Sequence, residues 1–169
     1  MPVDPTLNEL PNCIEEELCD RVQTILTTDP TLLAQGVTFR LLDGDPSEDD
    51  PPGLDQMPCV RLTLGGYPSA RLAERQHAGH LTLILDGYHA GRHRRDTFRL
   101  ANAIVKAFLP SDPTRSDYVR SLMMNAAYTD GHVKNVEIRT EGGAPLIQGS
   151  LRYGTQVRVM LVLSINKNT

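Results

Sequence analysis

The sequence of 169 residues contains no tryptophan, three phenylalanines and three cysteines. With so few large aromatic side chains, the core has to consist mainly of Leu, Val and Ile. Cys13, Cys19 and Cys59 have no Cys-x-x-Cys spacing, so we expect reduced thiols that act as small hydrophobic side chains. No apolar run approaches the roughly 20 residues of a membrane-spanning helix. The start, MPVDPTLNEL, lacks the pattern of a signal peptide, so no membrane partner is expected.

Signatures of catalysis and of cofactor binding are also missing. There is no Gly-x-Ser-x-Gly elbow, no glycine-rich phosphate loop and no His-Glu-x-x-His motif. The loop of residues 43–56 has six acids, but it departs from a calcium-binding EF-hand, because Glu48 replaces the required glycine and Leu54 the final glutamate. We therefore expect no catalytic residue, no metal site and no cofactor, and we do not expect an enzyme.

The charge that is present is unevenly distributed along a chain of net charge −4. Residues 1–60 hold thirteen acids and two bases, a net charge of −11, whereas residues 61–169 hold eight acids and fifteen bases, a net charge of +7. Solvated loops would explain this pattern. The alternative is that an acidic surface of one copy meets a basic surface of another, which would fix their register.

The stretch His80–Leu109 predicts a strand, a glycine-containing turn and an amphipathic helix. Leu81, Leu83 and Leu85 share one face of the strand, which has the character of a central strand. Asp96 or Thr97 is the predicted N-cap of the helix. The helical spacing predicts a buried stripe of Phe98, Ala101, Ile104, Val105 and Phe108. Such a strand with its covering helix is a typical two-layer nucleus.

The rest of the chain predicts one α+β domain over residues 13–169, preceded by an extended arm at 1–12. A helix begins after an Asn12/Glu15 capping box, ends at Asp29-Pro30, and is followed by a turn in which Leu32 and Leu33 pack. Strands are predicted at 37–42, 58–64, 133–140, 146–153 and 156–165, with a turn at 141–143, a bulge or bend at Gly154, and the last strand in the middle of the sheet. Residues 65–78 form a loop whose middle either extends a strand or forms a hairpin tip, and residues 118–127 are either helical or extended. The predicted fold is a mainly antiparallel β-sheet with two principal helices packed on one face, and long loops.

Two clusters of side chains have both a functional and a structural interpretation. His77, His80, His89 and His93 suggest zinc, but Gly91 interrupts any shared helix face and no cysteine is near. The basic turn Arg92–Arg95 suggests nucleic-acid binding, which would require adjoining aromatic platforms. Only Tyr88 and Phe98 are close, so a solvated turn or a subunit contact is the preferred interpretation.

The order of elements resembles the tail-terminator, or tail-completion, family of long-tailed bacteriophages. The passages that carry it are ILTTDPTLLAQGVTFRLLDGDP, MPCVRLTL and HLTLILDGYHAGRHRRDTFRLANAIVKAFL, followed by a strand that closes the sheet. The likeness covers about residues 13–109 and 133–165, and the acidic loop at 43–56 and the segment at 111–130 depart from it. The resemblance implies an α+β subunit, six copies of which form a ring on the end of the tail tube. Such a ring stops tail polymerisation and offers a surface to the neck proteins.

The implied partners are other copies of the chain, the tail tube protein, a sheath protein where the tail contracts, and neck or connector proteins. The implied location is the virion tail or neck, and the host cytoplasm during assembly. No specific nucleic acid is expected, although DNA passes through such a ring. The residues proposed for the subunit or partner interface are Arg71, Arg75, Arg92, Arg94, Arg95, Asp43, Asp45, Glu48, Asp49 and Asp50. The alternatives are a head-to-tail connector or neck stopper protein and, as a different class, a small histidine-based metal-binding module or enzyme.

Overall fold

The computed structural model describes residues 13–41, 52–64, 71–73, 76–91, 93–108, 128, 131–145 and 153–165. The helices are α1 (Ile14–Thr28), α2 (Pro30–Ala34) and α3 (Arg94–Ala107), and a 3₁₀ turn spans Leu54–Gln56. The strands are β1 (Thr38–Leu41), β2 (Cys59–Leu64), β3 (Arg71–Ala73), β4 (Gln76–Tyr88), β5 (Gly131–Pro145) and β6 (Tyr153–Ile165).

The strands form one sheet in the order β1-β2-β4-β6-β5, and β3 pairs with the beginning of β4. The β1–β2 pair is parallel and every other pair is antiparallel. The predicted α+β class with a mainly antiparallel sheet is therefore confirmed. The prediction that the last strand lies inside the sheet is also confirmed, because β6 runs between β4 and β5.

The core lies between one face of the sheet and helices α1 and α3. The buried positions of β4 and β6 alternate along the strands and face each other in register, as Leu83 does with Val159. The helices contribute side chains at spacings of three and four, namely Ile14, Leu18, Val22 and Leu26 from α1 and Leu100, Ile104 and Phe108 from α3 and its end. Burying one such side chain contributes about 1.5–3 kcal/mol, so this layer supplies most of the stability of the fold.

The caps of α1 and α2 determine where these helices begin. The backbone N–H of Cys13 donates to the Glu16 carboxylate at 3.2 Å, so the helix is capped one residue later than the predicted Asn12/Glu15 pair. Asp29 accepts from the Leu32 N–H at 2.9 Å and caps α2, which Pro30 opens. Leu32 is buried as predicted, but Leu33 is 57% exposed, because the short α2 has only one side in contact with the core.

Helix α3 lies where it was predicted, but the residues that it buries lie on a different side of the helix from the predicted stripe. Its N-cap is His93 and not Asp96 or Thr97. Thr97 is fully buried and Leu100 nearly so, whereas Phe98 is 59% exposed. Consecutive residues of a helix lie about 100° apart, so a stripe that includes Thr97, Leu100, Ala101, Ile104 and Phe108 leaves Phe98 outside it.

The strands on either side of the predicted turns are longer than expected. Residues 141–143 lie within β5, so the predicted turn there is wrong; β6 is long enough to give β5 a partner up to Pro145. The β5–β6 register shifts between Gly142 and Pro145, which places one extra residue on β5 opposite Gly154. The interval 65–78 contains β3 and the start of β4, which extends the central strand. The predictions for residues 118–127 and 146–152 lie outside the described residues.

Candidate functional site

The predicted interface residues fall into separate parts of the fold. Arg71 begins β3 opposite Ala78, at the start of β4, whereas Arg94 and Arg95 begin α3, which follows the end of β4. At about 3.3 Å per strand residue, the ten residue steps from Ala78 to Tyr88 keep these two positions roughly 33 Å apart along the strand. They therefore do not form one patch. Arg75, Arg92, Asp43, Asp45, Glu48, Asp49 and Asp50 lie outside the described residues.

The outer face of α3 is basic and carries an exposed aromatic ring. Its exposed side chains are Arg95, Phe98, Arg99, Asn102 and Lys106. Arg99 forms an ion pair with Asp96 at 3.4 Å, and Asp96 is in the first turn of the helix. The helical spacing of the sequence predicted a buried Phe98, whereas the structure places it on this surface. The signal for it was present in Thr97 and Leu100, which complete the apolar stripe without Phe98.

The turn between β4 and α3 is fixed by a buried contact between His89 and Thr97. Nε2 of His89 lies 3.1 Å from the Thr97 hydroxyl, and both side chains are buried. Burial lowers the pKa of His89, and the charge of Asp96 opposes this shift. The folded state therefore favours the neutral imidazole of His89, which connects the strand to the helix.

The histidines predicted as zinc ligands do not meet in the described part of the chain. His89 is buried, whereas His93 and His80 are exposed, and His80 lies within β4 opposite Val162. Over the described residues, no group of three or more His, Cys, Asp or Glu side chains is placed to hold a metal ion. For His77 the structure describes the backbone alone, opposite Leu72 in the β3–β4 pair.

A chain of polar side chains crosses the face of the sheet that is turned away from the helices. The Gln156 amide donates to Asp86 at 2.8 Å and accepts from the Arg158 guanidinium at 2.9 Å. On the other side of Asp86, its register partner Arg61 lies over the Tyr88 ring, 5.7 Å from the centroid. Burial raises the pKa of Asp86, and the Gln156 hydrogen bond and the two arginine charges oppose this shift.

A cleft of about 420 Å³ opens where this polar row reaches β1. Arg40 and Arg61 line it from adjacent strands, together with Met57 and Pro58. Arg40 is exposed and Arg61 is only 7% exposed. The sequence pattern does not predict this cleft, because the two arginines are distant in sequence and meet only through the β1–β2 register.

No helix in the described ranges has both the length and the apolar content that crossing a bilayer requires.

Comparison with known proteins gives a match of fold alone. No protein family and no curated protein matches the sequence. Among 27 matching chains of solved structures is one from the virion of a native gene transfer agent (GTA) particle. It has a TM-score of 0.53 and 12% sequence identity, and the alignment covers 85% of this chain and 91% of that chain. The sheet with two helices on one face is therefore an architecture that a chain of a virion particle also has.

Proposed function

We propose that this protein is a structural component of a virion, and specifically a tail terminator that forms a ring on the end of the tail tube. The observation that carries the proposal is the fold match, which spans most of both chains and joins this protein to a chain of a virion particle. The element order and the strand–turn–helix passage of the sequence support the finer assignment. In this role the protein acts through its shape and surface, without a catalytic step.

A closed ring requires that one surface of each subunit contact a different surface of the next subunit. The described residues provide a basic surface of this kind on the outer face of α3. They also provide an acidic one on α1, where Glu15, Glu16 and Glu17 occupy the first turn and no base occupies the last turn. Such opposed charges accelerate encounter and fix the register of neighbouring subunits.

The proposal predicts that the purified protein forms rings and that changing the start of α3 weakens them. Rings with a central hole are expected in negative-stain electron micrographs, and a hexamer mass is expected in native mass spectrometry. The double substitution Arg94→Glu and Arg95→Glu reverses two charges at the interface, and we expect it to raise the dissociation constant of the ring about tenfold or more.

The matched control is Lys134→Glu with Arg139→Glu, which makes the same change in net charge at two exposed positions of β5. Rings of the control variant should persist. A wild-type protein that stays monomeric at every concentration and binds no tail component would contradict the proposal. So would an equal loss of rings in both double variants, since that would indicate a net-charge effect.

A head-to-tail connector or neck stopper protein is the second candidate, because the same fold match supports any ring-forming component of a virion. Position in the assembled particle separates the two. Antibody labelling of intact particles should mark the end of the tail tube for a terminator and the portal side of the neck for a stopper.

A further inference from the structure

The outer face of α3 combines an aromatic ring with cations that have no acidic partner in the described part of the chain. Phe98 is 59% exposed. Arg95 precedes it and Lys106 follows it on the same face; both side chains are exposed, and neither forms an ion pair with a described residue. A cation in the first turn of a helix, such as Arg95, is unfavourably placed beside its own helix dipole. This face is therefore suited to contact with an acidic side chain or with the carboxyl end of another helix.

The outer face of α1 has the complementary features. Asp20 is exposed and forms no ion pair within the described ranges. Thr24, Thr27 and Thr28 follow it on the exposed side of the helix. No base occupies the last turn. The partial negative charge at the carboxyl end of α1 is therefore not offset by a side chain of its own last turn.

The three threonines form a surface that can be buried without the loss of a hydrogen bond. The Thr24 hydroxyl donates to the Asp20 carbonyl at 2.9 Å. The Thr27 hydroxyl donates to the Gln23 carbonyl at 2.8 Å. The hydroxyl of Thr28 donates to the Thr24 carbonyl at 2.6 Å. Because each hydroxyl proton is already used within the helix, an aromatic ring can cover these side chains without leaving a donor unsatisfied.

An antiparallel pairing of α3 from one copy with α1 from another brings these features together. If Asp20 lies opposite Lys106, eight residue steps lead from Asp20 to Thr28 and eight lead from Lys106 to Phe98. At 1.5 Å per residue both distances are about 12 Å. Phe98 is then opposite the threonines, and Arg95, one turn further on, lies at the negative end of α1.

A parallel pairing of the same two helices is less favourable. It would place the two amino ends together, so that Arg95 would have to bind the first-turn acids of α1. Glu16, one of these acids, already accepts from the Cys13 N–H at 3.2 Å and caps its own helix. Asp96 in the first turn of α3 would add a like charge, and parallel helix dipoles repel each other.

We propose that α3 of one copy packs antiparallel against α1 of a second copy, with Phe98 on the threonine surface and Lys106 against Asp20. The inference rests on the ring proposed above for the identity of the partner, and it names the two helices that meet. Because the contact joins two different surfaces, it is heterologous and can be repeated around a ring. Phe98 is its anchor, since enclosed aromatic side chains at the centre of a contact usually dominate the affinity.

Reversal and restoration of the charges test the pairing. Asp20→Lys alone and Lys106→Glu alone each bring like charges together, and each should raise the dissociation constant of the assembly about tenfold in analytical ultracentrifugation. The double variant restores opposite charges and should return to within about threefold of the wild type. The matched control combines Asp20→Lys with Lys134→Glu, an exposed position on β5, and has the same net charge as the double variant. It should not be restored.

Two further measurements examine the anchor and the direction of the helices. Phe98→Ala should raise the dissociation constant about tenfold or more. Its unfolding curve, recorded at a concentration at which both proteins are monomeric, should stay close to that of the wild type. In a mixture of ¹⁵N-labelled and unlabelled protein, a carbodiimide should link the Asp20 carboxylate of one copy to the Lys106 amine of another, as identified by mass spectrometry of the linked peptides.

The outcomes separate the helix pairing from the ring. Equal assembly of the double variant and its Lys134 control, assembly unaffected by Phe98→Ala, or the lack of a link between Asp20 and Lys106 of different copies would each overturn the pairing. Rings that persist in all of these variants would contradict the pairing alone. A two-fold dimer that shows the link and the restoration would contradict only the ring.

Discussion

Two phenylalanines of the α3 segment, Phe98 within the helix and Phe108 at its C-cap, have opposite environments. Phe108 is 1% exposed and contacts the core, whereas Phe98 is 59% exposed on the basic outer face of the helix. Their side chains are identical, so a difference between the corresponding alanine variants would come from their surroundings.

We predict that Phe108→Ala lowers the free energy of unfolding by about 3–5 kcal/mol, since it removes a buried ring and leaves a cavity. Phe98→Ala should change the same quantity by no more than about 0.5 kcal/mol, as is usual for an exposed position. Urea denaturation of both variants measures the difference. Equal losses would mean that Phe98 is buried in solution.

The buried histidine predicts a dependence of stability on pH. Burial holds the pKa of His89 below its ordinary value of 6.5, so below that pH the unfolded chain takes up a proton before the folded chain does. The contribution of His89 to stability is therefore complete above pH 6.5 and is lost as the pH falls toward the lower pKa of the folded state.

The variant His89→Gln keeps a hydrogen-bonding group near Thr97 and removes the titrating group. Denaturation curves recorded between pH 7.5 and pH 5 should show that the wild type loses more stability than the variant over this range. Parallel pH profiles for the two proteins would refute the assignment of this effect to His89.

At the scale of elements, the close approach of β4 to α3 depends on Gly87. A Cβ at this position would lie 2.7 Å from the Thr155 Cγ2 and 3.0 Å from the Leu100 Cδ2, and would also press on Ile104 at 3.2 Å. All three side chains belong to the packed layer between sheet and helix, so none can move freely. The glycine thus sets how closely the helix covers the central strand.

We predict that Gly87→Ala destabilises the protein by about 1–3 kcal/mol, the usual effect of overpacking. The gain of about 0.4–1 kcal/mol from restricting the unfolded chain is too small to offset this loss. The control is Gly53→Ala. Gly53 has a negative φ, and the new Cβ would meet only the exposed Asp55 side chain. Thermal unfolding should separate the two variants, and equal melting temperatures would show that α3 has room to move.

At the scale of the whole molecule, the three α-helices of the described ranges pack on one face of the sheet, and the other face holds a row of polar side chains. Antiparallel sheets commonly have one packed and one solvated face. Here the polar row is ordered by hydrogen bonds through Gln156 and ends in the cleft beside β1. The ring proposed above would place the outer face of α3 against a neighbouring subunit. A protein that functions in an assembly needs surfaces of this kind.

The sequence by itself determined the elements whose periodicity is local. The 3.6-residue pattern located α1 and α3, alternation located β1 and β2, and an apolar run located β6. These signals depend only on neighbours along the chain. For α3 the local pattern predicted a buried stripe through Phe98, whereas the folded helix buries Thr97, whose hydroxyl contacts His89.

Only the tertiary structure decided which distant residues meet. Residues 141–143 read as a turn because two glycines occur there, but the length of β6 gives them a strand partner. Arg40 and Arg61 become neighbours through the β1–β2 register, and Gln156 reaches Asp86 through the β4–β6 register. Such pairings depend on long-range hydrogen bonds between strands, which periodicity along a single chain does not encode.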